Sequence, residues 1–177
     1  MRVVTVIGIL LLTGVLAISL ISKLRSRAGF TAFAGAVVDL GLAPRRRARP
    51  VAAAAVAAEA IVVAALLRPS GATVGLALAA ALFAVFTAAL ATAVRRGSRA
   101  GCHCFGASSA PVSRRHVLRA ALLCAVATGA LAGPADPLTG ISAPQALAAA
   151  AVAAIGVAAL AWLDEIVWLF RGATPAR

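Results

Sequence analysis

Long apolar runs alternate along this chain with short segments that carry almost all of its charged residues. A helix needs roughly 20 apolar residues to cross the hydrocarbon core of a bilayer. Five runs come near that length, and they cover residues 3–22, 51–67, 73–94, 117–133 and 145–169. They occupy more than half of the chain, so the pattern predicts a single all-α integral membrane domain over residues 1–177. We expect a polytopic helical bundle of about five spans around a four-helix core.

The first apolar run has features of both a retained membrane span and a cleaved signal peptide. It begins with one early arginine, Arg2, and ends near the small residues Ala17 and Ser19. The apolar core of a signal peptide is usually about 7–15 residues long, and this run is longer. Its length favours a retained span, with a cleaved signal peptide as the alternative.

A shorter helix is predicted after the first run, within the segment AGFTAFAGAVVDLGLAP. Its large apolar residues recur at helical spacing on one face, and they are Phe30, Phe33, Val37 and Leu40. The segment is too short to cross a bilayer, so one interpretation is a helix lying in the membrane interface. The alternative is a connecting helix packed on the bundle, and the sequence leaves both open.

Composition agrees with a membrane protein, since 63% of the residues are hydrophobic and only 12% are charged. A net charge of +12 is also typical of proteins that bind nucleic acid. The arginines, however, crowd the ends of the apolar runs, and no aromatic residues are interleaved with them. We therefore expect the lipid bilayer as the partner of these charges and no nucleic acid.

The distribution of basic residues predicts the orientation of the chain in the cell membrane. With the N-terminus outside, fifteen basic residues fall on the inner side, whereas only Arg2 and Arg68 fall on the outer side. Basic residues are enriched in the cytoplasmic loops of membrane proteins. The bias predicts a multi-pass protein with its N-terminus outside and with the loop at 95–116 and the C-terminus in the cytoplasm.

One polar segment contains most of the reactive side chains, and it reads RRGSRAGCHCFGASSAPVSRRH over residues 95–116. Its two cysteines, Cys102 and Cys104, have five arginines close to them in sequence. Nearby positive charge favours the thiolate, which is the reactive form of cysteine. A disulfide between residues this close would be strained, and strained disulfides are oxidising and labile. Thiol–disulfide exchange is therefore one hypothesis for the pair.

Two other hypotheses for the same segment stay open. A metal site would use Cys102 and Cys104 with His103 or His116, because zinc takes four nitrogen or sulfur ligands. The chain has no second closely spaced cysteine pair to complete such a site. The remaining hypothesis is a turn in which the cysteines only pack. No cofactor motif is evident in the sequence, so no cofactor is predicted.

Glu59 lies near the middle of the second apolar run, where a carboxyl group is costly unless it is neutral or paired. It is either a proton carrier or polar anchor facing the bundle interior, or a protonated glutamate hydrogen-bonded to a neighbouring helix. Cys124 lies deep in the fourth run, where a cysteine usually acts as a small inert hydrophobic residue. His116 is expected to cap or orient the start of that run.

The segment CHCFG, followed by a polar gap and then SRRHVLRAALL, resembles the MauE family of methylamine-utilisation membrane proteins. In that family a CxCFG motif precedes an arginine-led helix, and the matching residues here are Cys102, Cys104, Phe105, Gly106 and Arg119. His103 departs from the family pattern, in which glycine is common at this position, and it adds a potential ligand or proton carrier. The segment KLRSRAGF and Glu59 resemble positions of the related DoxX-like proteins.

The resemblance implies a role in the maturation of methylamine dehydrogenase, whose small subunit is rich in disulfides. It implies a thioredoxin-like partner of the MauD type and a likeness to the small helical bundles that include vitamin K epoxide reductase. Cys102 and Cys104 would then exchange disulfides with a partner. The alternatives are a membrane scaffold without enzymatic activity, a metal-binding membrane protein, and a solute carrier that uses Glu59.

The predicted orientation and the implied function conflict. Disulfides form and persist outside the cytoplasm, whereas the charge bias places the cysteine segment inside. Either the pair passes electrons across the membrane, or it is not the site of disulfide formation, or the orientation is inverted.

Overall fold

A computed structural model of the protein describes residues 1–97, 113–134 and 140–161. Within these residues the secondary structure is helical throughout and includes no strand. A short 3₁₀ turn at Pro69–Gly71 connects the third α-helix to the fourth. The six α-helices are α1 (Arg2–Leu24), α2 (Arg27–Asp39), α3 (Arg45–Leu66), α4 (Ala72–Arg95), α5 (Arg114–Leu131) and α6 (Ala143–Ala161).

Four of the described helices, α1, α3, α4 and α6, are long and apolar enough to cross a membrane. The prediction of a polytopic helical membrane bundle is therefore confirmed. The 18-residue helix α5 is more polar, because it carries Arg114, Arg115 and Arg119. It nevertheless packs along α4, with Leu123 and Ala127 buried in the same apolar core as Phe83.

The main apolar core is formed where α1, α3, α4 and α5 meet. Each helix buries one stripe of its surface there and exposes the opposite stripe, as expected for helices whose outer faces contact lipid. The most deeply buried members are Leu12, Leu16, Ala79, Phe83, Leu123 and Ala127. This core corresponds to the four-helix core that the apolar runs predict.

Glycines bring α6 close to α1 on the outside of that core. A Cβ atom at Gly14 would lie 2.8 Å from Cγ2 of Val157, and one at Gly156 would lie 2.5 Å from Cδ1 of Leu11. In lipid, helix association depends on packing, and small residues permit such close approach. These contacts align α6 parallel to α1.

The helix α2 packs on the bundle, as the connecting-helix interpretation proposes. Ser26 caps its N-terminus, where the Gly29 amide donates to Ser26 Oγ at 3.0 Å. Its side chains Phe33 and Val37 are buried against Ala52 and Val56 of α3. Its predicted apolar face therefore contacts protein.

One end of the bundle collects most of the described arginines, and we call it the basic end. The ends of α2 and α4 and the start of α5 meet here, since Leu40, Leu90, Ala93 and Ala120 form one buried cluster. The helix α3 begins at Arg45, shortly after α2 ends. The arginines at this end are Arg45, Arg46, Arg47, Arg49, Arg95, Arg96, Arg114 and Arg115. The two arginine-rich segments thus share one side of the bundle, as the orientation prediction requires; which side faces the cytoplasm stays a prediction.

Candidate functional site

The motif residues Cys102, His103, Cys104, Phe105 and Gly106 lie outside the described residues. The roles predicted for them, in exchange, metal binding or packing, therefore stay predictions. The structure does describe the two helices that flank them. Because α4 ends and α5 begins at the basic end, the described residues on either side of the motif lie at that end.

The start of α5 is organised by His116. The backbone N–H of Ser113 donates to Nδ1 of His116 at 3.3 Å, so the histidine caps the helix as predicted. The His116 side chain is buried, and Arg119 follows three residues later on the same face and is also buried. Family resemblance singled out Arg119, but the sequence did not indicate that this arginine would lie inside the bundle.

A buried ion pair joins α1 to α3. Nζ of Lys23 lies 2.5 Å from Oε1 of Glu59, and the two side chains are 2% and 0% exposed. Ser19 bridges the pair, since its Oγ accepts from Lys23 Nζ at 2.9 Å and donates to Glu59 Oε2 at 3.2 Å. The Lys23 ammonium also lies 4.4 Å from the ring centre of Phe33 on α2. Three helices therefore meet at one charged group.

This arrangement satisfies two charges that the apolar interior would otherwise disfavour. Moving a single charge out of water is very costly, and an opposite charge with further hydrogen bonds offsets much of that cost. Lys23 has Glu59, Ser19 and the Phe33 ring face as partners, and ring faces attract cations. Glu59 thus faces the bundle interior as one half of a neutralised polar anchor.

The sequence indicated Glu59 but missed its partner. Lys23 opens the segment KLRSRAGF, which resembles DoxX-like proteins together with Glu59, but no pattern in the sequence pairs the two residues. One signal was present, because Lys23 is the single lysine among 17 basic residues. Its ammonium is a compact point charge on a flexible four-carbon stem, unlike the planar guanidinium of the arginines that carry the other positive charges.

An apolar cavity of about 260 Å³ lies between α2, α3, α4 and α5 near the basic end. Its wall consists almost entirely of carbon atoms, and His116 and Arg119 contribute to it at the side of α5. Its other lining residues are Phe33, Ala36, Val37, Leu40, Leu42, Val51, Ala55, Phe83, Val85, Phe86, Ala89, Leu90 and Ala120.

Cys124 lies apart from the ion pair, half-buried against the main core. Its Sγ is 3.5 Å from the carbonyl oxygen of Ala80 on α4. This environment agrees with the predicted packing role. Across the parts of the chain that the structure describes, His, Cys, Asp and Glu form no group of three or more that could hold a metal ion.

The spanning helices and the buried intramembrane ion pair define a multi-pass helical membrane protein. The family model described as methylamine utilisation protein MauE matches residues 1–133 of the 177. The chain therefore belongs to the MauE family, as the CHCFG segment predicted. The match includes Lys23, Glu59 and the cysteine pair, and it ends before α6. No curated protein and no solved structure matches the chain.

Proposed function

We propose that this protein is a membrane component of a thiol–disulfide exchange system that matures a partner enzyme of the methylamine dehydrogenase type. The observation that carries the proposal is the family match, which covers three quarters of the chain and includes Cys102 and Cys104. Membership ties the chain to membrane proteins of methylamine utilisation. The closely spaced cysteine pair supplies the chemistry for disulfide exchange.

In this function, Cys102 and Cys104 exchange one disulfide with a thioredoxin-like partner of the MauD type. A thiolate of the reduced pair attacks the disulfide of the other protein and forms a mixed disulfide. The second thiol of the attacking pair then displaces the remaining sulfur as a thiolate. The attacking pair ends as a disulfide, and the other pair gains two electrons and the two protons that its thiols carry.

The charged flanks of the motif support the same chemistry. Arg95 and Arg96 end α4, and Arg114 and Arg115 begin α5, so the chain on both sides of the cysteines is basic. Positive charge favours thiolates over thiols and thereby speeds attack. His103, between the two cysteines, is suited to carry the proton that the leaving thiolate takes up.

The proposal assigns the Lys23–Glu59 pair a supporting role. It joins α1 to α3 and, through Phe33, to α2, whose end packs against the ends of α4 and α5. By fixing α1, α2 and α3 relative to one another, the pair helps to hold the end of α4 and the start of α5 in place on either side of the cysteine segment. The pair is a positioning element and takes no part in the exchange itself.

Complementation of a strain that lacks the gene tests the proposal directly. We expect Cys102→Ser and Cys104→Ser each to abolish maturation of the partner enzyme while leaving membrane insertion intact. The single variant that keeps the attacking cysteine should also trap a mixed disulfide with the thioredoxin-like partner, because the second thiol that would displace it is missing. Cys124→Ser is the matched control, because Cys124 packs in the bundle, and it should complement normally.

Normal maturation by the double variant Cys102→Ser/Cys104→Ser would contradict the exchange function. If that variant still co-purified with a partner enzyme, the protein would instead be a membrane scaffold without redox activity.

A further inference from the structure

The apolar cavity between α2 and α5 opens toward the bilayer, which suggests that it takes a hydrocarbon chain. Its floor is buried and includes Phe83 and Leu90. At its mouth, Leu42, Val51 and Val85 are 45%, 39% and 63% exposed. Val51 and Val85 lie on α3 and α4, which are long and apolar enough to span a membrane, and exposed apolar side chains on such helices face lipid; Leu42 lies between α2 and α3. A ligand therefore reaches the cavity from the membrane.

The wall of the cavity indicates which part of a ligand fits inside. Small-molecule sites usually hold about 300–1,000 Å³ and place a few polar groups to orient the ligand. This cavity is slightly smaller, at about 260 Å³, and almost no polar atom faces it. His116 and Arg119 line it mainly with carbon. It therefore suits an alkyl chain better than a polar head.

Three arginines lie close in the chain or in space to residues that line the cavity, on the side of the basic end. Arg47 stands one turn before Val51 on α3, and Arg115 one turn before Arg119 on α5. A Cβ atom at Gly41, next to Leu42, would lie 3.4 Å from Nη1 of Arg96. Cations gathered between helices at a basic membrane face attract anionic lipid headgroups.

We propose that this cavity holds one acyl chain of an anionic phospholipid whose headgroup phosphate is bound by Arg47, Arg96 and Arg115. The apolar wall and the cationic rim together match the two ends of such a lipid. The rim shares Arg96 and Arg115 with the basic flanks of the cysteine segment, but lipid binding requires no thiol–disulfide exchange, so either proposal can fail without the other. A bound lipid would fill the space between α2, α4 and α5 directly below the flanks of the cysteine segment.

Native mass spectrometry of the full-length protein, delipidated in neutral detergent, tests the site. The probes are an equimolar mixture of phosphatidylglycerol and phosphatidylcholine with identical chains, and separately glycerol phosphate, which has no chain. We expect one bound phosphatidylglycerol per protein, preferred at least tenfold over phosphatidylcholine, and no binding of glycerol phosphate. Equal binding of both lipids would overturn the role of the arginine rim.

Two matched triple variants separate a specific rim from general surface charge. R47Q/R96Q/R115Q should weaken phosphatidylglycerol binding roughly a hundredfold, because each cation near the headgroup contributes several-fold. The control R46Q/R95Q/R114Q removes the same charge from the positions just before these, and we expect a loss of less than tenfold. Equal losses in both variants would contradict the proposal.

Filling the cavity tests the part of the proposal that places an acyl chain inside it. Ala89 lines it on α4, whereas its neighbour Ala88 is exposed on the same helix. Ala89→Leu should weaken binding about tenfold, since it replaces the space of several methylene groups, and Ala88→Leu should not. Unchanged binding in a folded Ala89→Leu protein would exclude the cavity. A neutral isoprenoid quinone is the competing probe. If it displaced the lipid and bound equally well to R47Q/R96Q/R115Q, the cavity would belong to that ligand and the proposal would be overturned.

Discussion

Nζ of Lys23 donates to Oε1 of Glu59 at 2.5 Å across the interface between α1 and α3, and both side chains are buried. The two residues are 36 positions apart in sequence, and Ser19 contacts both of them. A buried pair of this kind is strongly destabilised when one partner is lost, because the other charge is left uncompensated. The bundle is therefore expected to depend on this contact.

Glu59→Gln should lower the free energy of unfolding by roughly 3–5 kcal/mol, because Lys23 keeps its charge and loses the carboxylate. Reversible unfolding in mixed micelles measures this change. The double variant Lys23→Met/Glu59→Leu removes both charges and should recover most of the loss. A double variant as unstable as the sum of its single variants would show that the two residues do not stabilise each other.

Ser19→Ala should cost about 1–3 kcal/mol of stability, because it removes one hydrogen bond from each member of the charged pair. Thr128→Ala is the control. Thr128 is exposed, and its hydroxyl donates only to carbonyls of its own helix. Its substitution should change the unfolding free energy by no more than about 0.5 kcal/mol. Equal effects at the two positions would mean that Ser19 contributes nothing particular to the pair.

Gly75→Ala should destabilise the contact between α3 and α4. An added Cβ would lie 2.8 Å from the backbone nitrogen of Leu66, which cannot rotate away. Overpacking of this kind typically costs about 1–3 kcal/mol. The matched control is Gly129→Ala on α5, where nothing lies within 4 Å of the added atom. This control should stabilise the protein by up to about 1 kcal/mol, because alanine favours helix over glycine. Measuring the free energy of unfolding of both variants in the same detergent tests whether the two changes have opposite signs.

Thiol labelling from each side of the membrane tests the orientation of the chain. Single cysteines introduced as Arg46→Cys and Arg95→Cys, in a background without native cysteines, should react from the same side. Both positions are exposed at the basic end, whereas Arg68→Cys lies at the opposite end and should react from the other side. The charge bias predicts that the first two variants label only after permeabilisation. Labelling of those two in intact cells would show the inverse orientation.

The same reagent, applied to Cys102 and Cys104, tests whether the cysteine pair lies on the cytoplasmic side, as the charge bias predicts, or outside, as disulfide formation would require. In a Cys124→Ser background, we expect Cys102 and Cys104 to react only after permeabilisation. That result would confirm the cytoplasmic position of the pair and contradict disulfide formation at this pair outside the cytoplasm. Labelling of intact cells that requires prior reduction would place an oxidised pair outside.

Much of the fold could be predicted from the sequence because its signals are local. The apolar runs predicted the helices that became α1, α3, α4 and α6, and the spacing from Phe30 to Leu40 predicted α2. The CHCFG segment predicted the family that the match to residues 1–133 shows. The capping role of His116 was also accessible, since a cap acts within three residues of its partner.

Other features depended on contacts between distant segments. The sequence by itself determined the length, the polarity and the helical form of each element, because bilayer thickness and backbone hydrogen bonding act on continuous stretches. Only the tertiary structure decided that Lys23 meets Glu59, that Arg119 lies inside the bundle, and that a cavity remains beside α2. These outcomes depend on which helix faces pack together, and that choice is made by side-chain shapes meeting across helices.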